Sequence, residues 1–216
     1  MNRHANLDMG NLLVAQERER FLARLLLRHG ITSLENLRVF EAGCSDGYNL
    51  RLMVQWGARP EHLTGMEIDA GAIARCAGLS PEIRVHAGSA DDVPEPDQSF
   101  DLSMAFDLFA GRLDEDVAHG IARELFRITK PGGLIVVYDL RRKDPTNRRT
   151  HAVEEDDIRR WFPKCPFRIR PITVASPVAR LAGRYAPWFY GALAAIPPLR
   201  THAFYVLRRP ATSPFQ

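Results

Sequence analysis

The spacing of apolar positions along this chain changes repeatedly, and each change predicts an element. From residue 11 to 30, NLLVAQERERFLARLLLRHG sets Leu22, Leu25 and Leu26 at helical spacing among charged residues, and Gly30 is a fitting stop. LRVFEA (37–42) predicts a first strand, YNLRLMVQWG (48–57) a helix, HLTGMEID (62–69) a second strand and AGAIARCAGL (70–79) a short helix. EIRVHAG (82–88) predicts strand three, and VPEPDQ (93–98) a loop set by its two prolines. SFDLSMAFDLF (99–109) follows as strand four. EDVAHGIARELFRITK (115–130) reads as a helix ended by Pro131, Gly132 and Gly133, and GLIVVYDL (133–140) as strand five.

Strands alternating with helices at short intervals predict βαβ units. LIVV and LRVF are continuous apolar runs, as expected of strands buried on both faces. Beyond residue 140 the texture changes. RRKDPTNRRTH is a polar, basic loop, and VEEDDIRRWF reads as a helix with acids first and arginines later, the favourable order for the helix dipole. FRIRPITVA and THAFYVLRR read as two further strands. Between them SPVARLAGRYAPWFYGALAAIPPL is apolar, aromatic and broken by prolines. The expected fold class is α/β: a doubly wound, mostly parallel seven-stranded sheet with helices on both faces. A single domain over 1–209 is expected, with an N-terminal helix near 10–30, a C-terminal cap near 176–199 and a tail at 210–216.

Composition narrows the class. A net charge of +3 in 216 residues is too weak by itself to argue for nucleic acid. The positive charge is nearly all arginine, the lysines being Lys130, Lys143 and Lys164. Cys44, Cys76 and Cys165 are widely spaced and form no metal-binding pattern, so no metal is expected and a reducing compartment fits. The first residues lack the apolar core of a signal peptide, and no apolar run reaches bilayer-spanning length; a cytoplasmic protein is expected.

VFEAGCSDGYNL (39–50) carries the candidate chemistry. In an open parallel sheet, ligands bind beyond the carboxyl ends of the strands at the switch in strand order. The stretch from Glu41 to Gly47 lies there. Glycines let the backbone approach a ligand, and the following helix offers N–H groups to an anion. Glu67, about twenty residues beyond Gly47, ends strand two, where an acid can accept from both ribose hydroxyls of an adenosine. The dinucleotide fingerprint fails: counted from Gly43, its later glycine positions hold Ser45 and Tyr48. No P-loop pattern occurs. Glu41 would repel phosphate but can help hold an ammonium group, while loop N–H groups can hold a carboxylate. A ligand with both, plus a ribose, is an adenosylated amino acid.

At these residues the chain resembles the class I S-adenosylmethionine-dependent methyltransferases, over roughly 35–140 and more weakly at both ends. VFEAGCSDG looks like the first motif of that family and LTGMEIDAGAI like its second. VHAGSADDVPEPDQSFDLSMAFDLF looks like the third and fourth, and ELFRITKPGGLIVVYDLR like the helix and strand that follow. The resemblance implies a Rossmann-like methyltransferase fold with S-adenosyl-L-methionine as cofactor and S-adenosyl-L-homocysteine as product. It places Glu41 near the methionine amino group, and Gly43, Cys44 and Gly47 in the loop beneath the methionine. Glu67 would meet the ribose, Ile68 the adenine face, Ser89 and Ala90 the adenine edge, and Ala105 and Phe106 the sulfonium. Two positions depart from the pattern: Ser45 replaces a middle glycine, and Ser89 stands where the family often has an acid.

Methyl transfer is an in-line displacement that proximity and orientation largely supply. A hydroxyl acceptor is helped by a general base. Asp107 and Asp139, after strands four and five, and His151 in the loop beyond are the catalytic candidates. Helix capping competes as the role of Asp107, an Arg141 ion pair as that of Asp139, and simple solvation as that of His151. Tyr138 and Arg141 are candidates to line the acceptor pocket. The acceptor expected is a small molecule or glycan, O-methylated in a bacterial polysaccharide or natural-product pathway. Two other classes compete: an RNA methyltransferase using RRKDPTNRR as a phosphate-binding loop, and a non-catalytic cofactor-binding partner. Nucleic acid is disfavoured, because that run contains no stacking aromatics and no separate RNA-binding module is visible. For the cap, packing as a lid competes with peripheral contact to membrane lipid, Arg180, Arg184 and Arg200 standing at its edges.

Overall fold

A computed structural model describes residues 8–111, 114–142, 151–163 and 165–211. The strands are β1 (Val39–Ala42), β2 (Leu63–Glu67), β3 (Arg84–Ala87), β4 (Phe100–Phe106), β5 (Thr129–Leu140), β6 (Phe167–Val174) and β7 (Arg200–Arg208). The helices are α1 (Met9–Arg28), α2 (Tyr48–Gln55), α3 (Ala70–Leu79), α4 (Glu115–Ile128), α5 (Glu155–Trp161), α6 (Ser176–Tyr185) and α7 (Tyr190–Ala194). One seven-stranded sheet runs in the order β3-β2-β1-β4-β5-β7-β6. The chain divides into two compact units. One joins residues 1–32 to 170–203; the other joins 33–169 to 204–216.

In the larger unit, β3-β2-β1-β4-β5 is parallel throughout. Gly132 N–H donates to the Arg209 carbonyl and Arg209 N–H to the Gly133 carbonyl, which ties the start of β5 to the end of β7 and makes that pairing antiparallel. Strand order reverses between β1 and β4, so the switch point lies at their carboxyl ends. All four residues of β1 are buried, and Phe40 meets Phe100 with ring centroids 5.4 Å apart. Helix α4 turns Ala118, Ile121, Ala122 and Leu125 inward, one face at helical spacing. Its Arg127 reaches back to the proline loop, donating to the carbonyls of Val93 and Glu95 and to the carboxylates of Glu124 and Asp97.

Two strands differ from the sequence reading at their ends. Strand four stops at Phe106, because Asp107 takes a left-handed φ of +54° and a 3-10 turn follows at Phe109–Gly111. Strand five starts at Thr129, four residues early. The Thr129 hydroxyl sits 2.6 Å from that of Ser103 and donates to the Leu125 carbonyl, locking the helix-to-strand junction. Gly132, at φ +80°, lets the strand continue through a register shift instead of turning away.

In the smaller unit, the segment expected as a cap folds into α6 and α7, with 3-10 turns at Pro187–Phe189 and Pro197–Leu199. Prolines open both turns, where their missing N–H costs nothing. Helices α1 and α6 cross at glycines: a Cβ on Gly10 would stand 2.5 Å from the Ala179 carbonyl oxygen, and one on Gly183 would strike the Gly10 backbone. Val174, Ala179 and Tyr190 form the core there, with Leu13 and Val14 of α1 packed on it. The Tyr190 hydroxyl donates to Glu17 at 2.7 Å. No helix among the described residues is long and apolar enough to cross a membrane.

Candidate functional site

The site lies where β1 and β2 end side by side. After Ala42 the chain makes three left-handed turns, at Gly43 (φ +66°), Ser45 (φ +51°) and Gly47 (φ +79°), and then enters α2. Side chains at both glycines would collide: a Cβ on Gly43 would lie 2.9 Å from Leu108 Cδ1, and one on Gly47 2.5 Å from Cys76 Sγ. Left-handed backbone and lack of room both demand glycine there. Cys44 is buried against Gly65 of β2, and its N–H donates to the Met66 carbonyl. Burial, reinforced by Glu41, raises the Cys44 thiol above its ordinary range, so it is packing and no nucleophile.

Glu67 joins the two strand ends. One carboxylate oxygen accepts from the Ser45 N–H at 2.8 Å; the other accepts from the N–H groups of Ile68 at 2.8 Å and Asp69 at 2.9 Å. Ile68 beside it is 77% exposed, an apolar side chain held out beyond the sheet. Glu41 is buried, and Asn49 Nδ2 donates to it at 2.5 Å. Asn49 was not among the residues singled out by sequence; its signal is a polar residue on the inward face of α2, eight positions after Glu41. Gly88, at φ +148°, donates to the Glu67 carbonyl and leads to exposed Ser89 and buried Ala90. Ala105 is buried in β4, and Phe106 stands at its end.

The catalytic and acceptor candidates separate. Asp139 is fully buried. Its carboxylate accepts from the N–H groups of Phe109, Ala110 and Leu140, and it forms no ion pair with Arg141. Burial, with the charge of Asp107 adding to it, pushes its pKa up to about 7 against the pull of those three N–H groups. Asp139 therefore anchors the turn after β4. Asp107 is half-buried at the end of β4, its N–H donating to the Tyr138 carbonyl. His151 is largely exposed, 3.7 Å from Asp157, which closes the capping box of α5. Tyr138 is buried between Phe106 and Phe204, ring centroids 5.4 and 4.9 Å away. Arg141 is half-buried just past β5. Most of the basic loop weighed for RNA, residues 143–150, lies outside the described residues. No cluster of metal-ligating side chains occurs among the described residues.

The donor set fits an adenosylated amino acid. A carboxylate stands at the end of β2, an exposed apolar residue follows it, and a tight glycine loop lies across from it.

Residues 39–133 match a family described as methyltransferase domain. The chain is 27% identical over 137 residues to the "Probable S-adenosylmethionine-dependent methyltransferase" of Mycolicibacterium smegmatis, covering 63% of this chain and 47% of that protein. It is 30% identical over 119 residues to a sterol 24-C-methyltransferase of Gibberella zeae, covering 52% and 30%. It thus spans less than half the length of either relative. Among solved structures, geranyl diphosphate C-methyltransferase of Streptomyces coelicolor, in complex with S-adenosyl-L-homocysteine, shares the fold. The TM-score is 0.62 at 14% identity, over 88% of this chain and 76% of that one. Strand order, loop and acid agree with the family match: residues 39–133 carry a methyltransferase domain, and the chain is similar to S-adenosylmethionine-dependent methyltransferases.

Proposed function

We propose that this chain transfers the methyl group of S-adenosylmethionine to a small-molecule acceptor. The observation that carries the reading is Glu67, set across from the glycine loop at the carboxyl ends of two adjacent parallel strands. The cofactor, when bound, supplies an electrophilic methyl on a sulfonium. What the chain supplies is position. Gly43 and Gly47 clear the loop backbone for close approach, Asn49 fixes the Glu41 carboxylate, and Glu67 accepts from ribose hydroxyls. Ile68 offers an apolar face to the adenine, and Ser89 and Ala90 its edge. Asp139 holds the turn that carries Asp107 and Phe109. For a hydroxyl acceptor, Asp107 is the group placed to take the proton.

For the acceptor, O-methylation of a sugar or small metabolite is the reading drawn from the sequence. The name of one relative, a sterol 24-C-methyltransferase, supports a small apolar acceptor as the second reading.

Thermal unfolding with saturating S-adenosylhomocysteine, and in parallel with NADH, tests the cofactor site. Ligand at 100 times its dissociation constant stabilises by roughly 2.7 kcal/mol. For a chain of this size that raises the midpoint by about 5–10 °C. Glu67→Ala should lose most of that rise. No rise at millimolar ligand, or an equal rise with NADH, would sink the reading.

A further inference from the structure

Charge is distributed unevenly between the two units. The smaller unit holds nine arginines against three acids, and its segment 170–203 holds four arginines and no acid at all; the larger unit holds twenty basic residues against twenty-three acids. Within the smaller unit lies a cavity of about 570 Å³ whose walls come from α1, β6 and the segment leading into β7. Glu17, Arg20, Phe21 and Arg24 contribute from α1 at one-turn spacing, a single stripe of the helix. Arg170 enters from the edge strand β6, and Arg200 from the start of β7.

Four arginines thus line one cavity. Arg200 Nε donates to the Ala194 carbonyl, which fixes its planar fork. Arg20, Arg24 and Arg170 make no ion pair or side-chain hydrogen bond to any described residue. The one acid of the lining, Glu17, is engaged by the Tyr190 hydroxyl. Four cations against one carboxylate leave an excess of positive charge, and a multiply charged anion relieves their repulsion while accepting bidentate bonds. Phe21 and Ile172 give the cavity an apolar side, and its volume exceeds what a bare phosphate fills.

We propose that this cavity binds a phosphoryl group, a mono- or diphosphate ester, through Arg20, Arg24, Arg170 and Arg200, with its organic part against Phe21 and Ile172. The ester has two sources: a soluble metabolite or a lipid headgroup. A bilayer is the second source because the same unit exposes Leu181, Tyr185, Trp188 and Phe189 beside Arg180 and Arg184.

The test uses the full chain without methyl donor, so its outcome is separate from that of the methyltransferase reading. Inorganic pyrophosphate is titrated calorimetrically, and flotation is measured with phosphatidylcholine vesicles with and without phosphatidylglycerol. The double variant Arg24→Gln/Arg170→Gln removes two cavity cations. Arg28→Gln/Arg168→Gln removes the same charge from the same two elements outside the lining. Each charge-assisted bond lost weakens binding about tenfold or more, so the cavity double should bind pyrophosphate at least ~10-fold more weakly and the control nearly as wild type. Arg20→Gln alone gives the same discrimination should the cavity double not fold. Pyrophosphate binding without flotation assigns a soluble ester. Flotation that needs phosphatidylglycerol and is lost only in the cavity variants assigns the headgroup. Absence of both, or equal weakening in cavity and control variants, overturns the proposal.

Discussion

At the end of β5, Asp139 brings an ionisable group to a place water does not reach. Its folded-state pKa of about 7 stands well above the ordinary carboxyl value near 4, so between those values the folded state holds a proton that the unfolded state has released. The stability this group contributes is full below the lower value and lost as pH rises through the upper one. Wild type should therefore show an extra downward slope of at most about 1.4 kcal/mol per pH unit between roughly pH 4 and 7, absent in Asp139→Asn. Urea midpoints of both proteins across that range decide it, and parallel curves would refute the assignment. Close packing makes a second claim. A Cβ on Gly65 would strike Cys44 Sγ and come within 3.1 Å of Leu50. Gly65→Ala should cost about 1–3 kcal/mol by overpacking, and Gly65→Ala/Cys44→Ala should recover part of it. Additive losses in a double-mutant cycle would show that the sulfur is not the obstacle.

Among the elements, the proline loop before β4 depends on α4 through one guanidinium. Arg127 meets two carbonyls and two carboxylates, and Glu124 in turn accepts from the Val93 N–H at 3.0 Å. Lysine keeps the charge but not the planar fork. Arg127→Lys should lower stability by about 1–2 kcal/mol and open the loop at residues 93–97 to proteolysis. An unchanged midpoint and cleavage pattern would count against the clamp. Much at this scale was legible in the sequence. LRVF and LIVV read as buried strands because their apolar runs are continuous, Arg38 excepted, and Glu67 stood out as an acid where a strand should end. The rest depends on distant partners. Pro131-Gly132-Gly133 reads as the stop of a helix and becomes strand because Arg209 supplies the ladder bonds. Asp139 reads as a base until the N–H groups of Phe109 and Ala110, thirty residues earlier, are found around it. Asn49 looks like any helix residue until Glu41 is seen beside it.

For the molecule as a whole, local pattern revealed both α1 and the apolar segment after β6, but not that they belong together. The pairing rests on Gly10 against Ala179 and on Gly183 against Gly10, contacts between parts of the chain far apart in sequence. The uneven charge was likewise readable residue by residue, yet the net value of +3 concealed it until the fold sorted the arginines. Each unit is built from two separate stretches of chain, and that arrangement sets a schedule for synthesis. Helix α1 is made before α6 and α7, which complete its core, by some 150 residues. At about 5–20 residues per second, its apolar stripe waits roughly 10–30 s for its partners. An isolated helix of this length is marginal in water. By then β1 to β5 of the larger unit are already made, while α1 still lacks the helices that complete its core, so its apolar stripe is the part left in need of protection while the chain is being made.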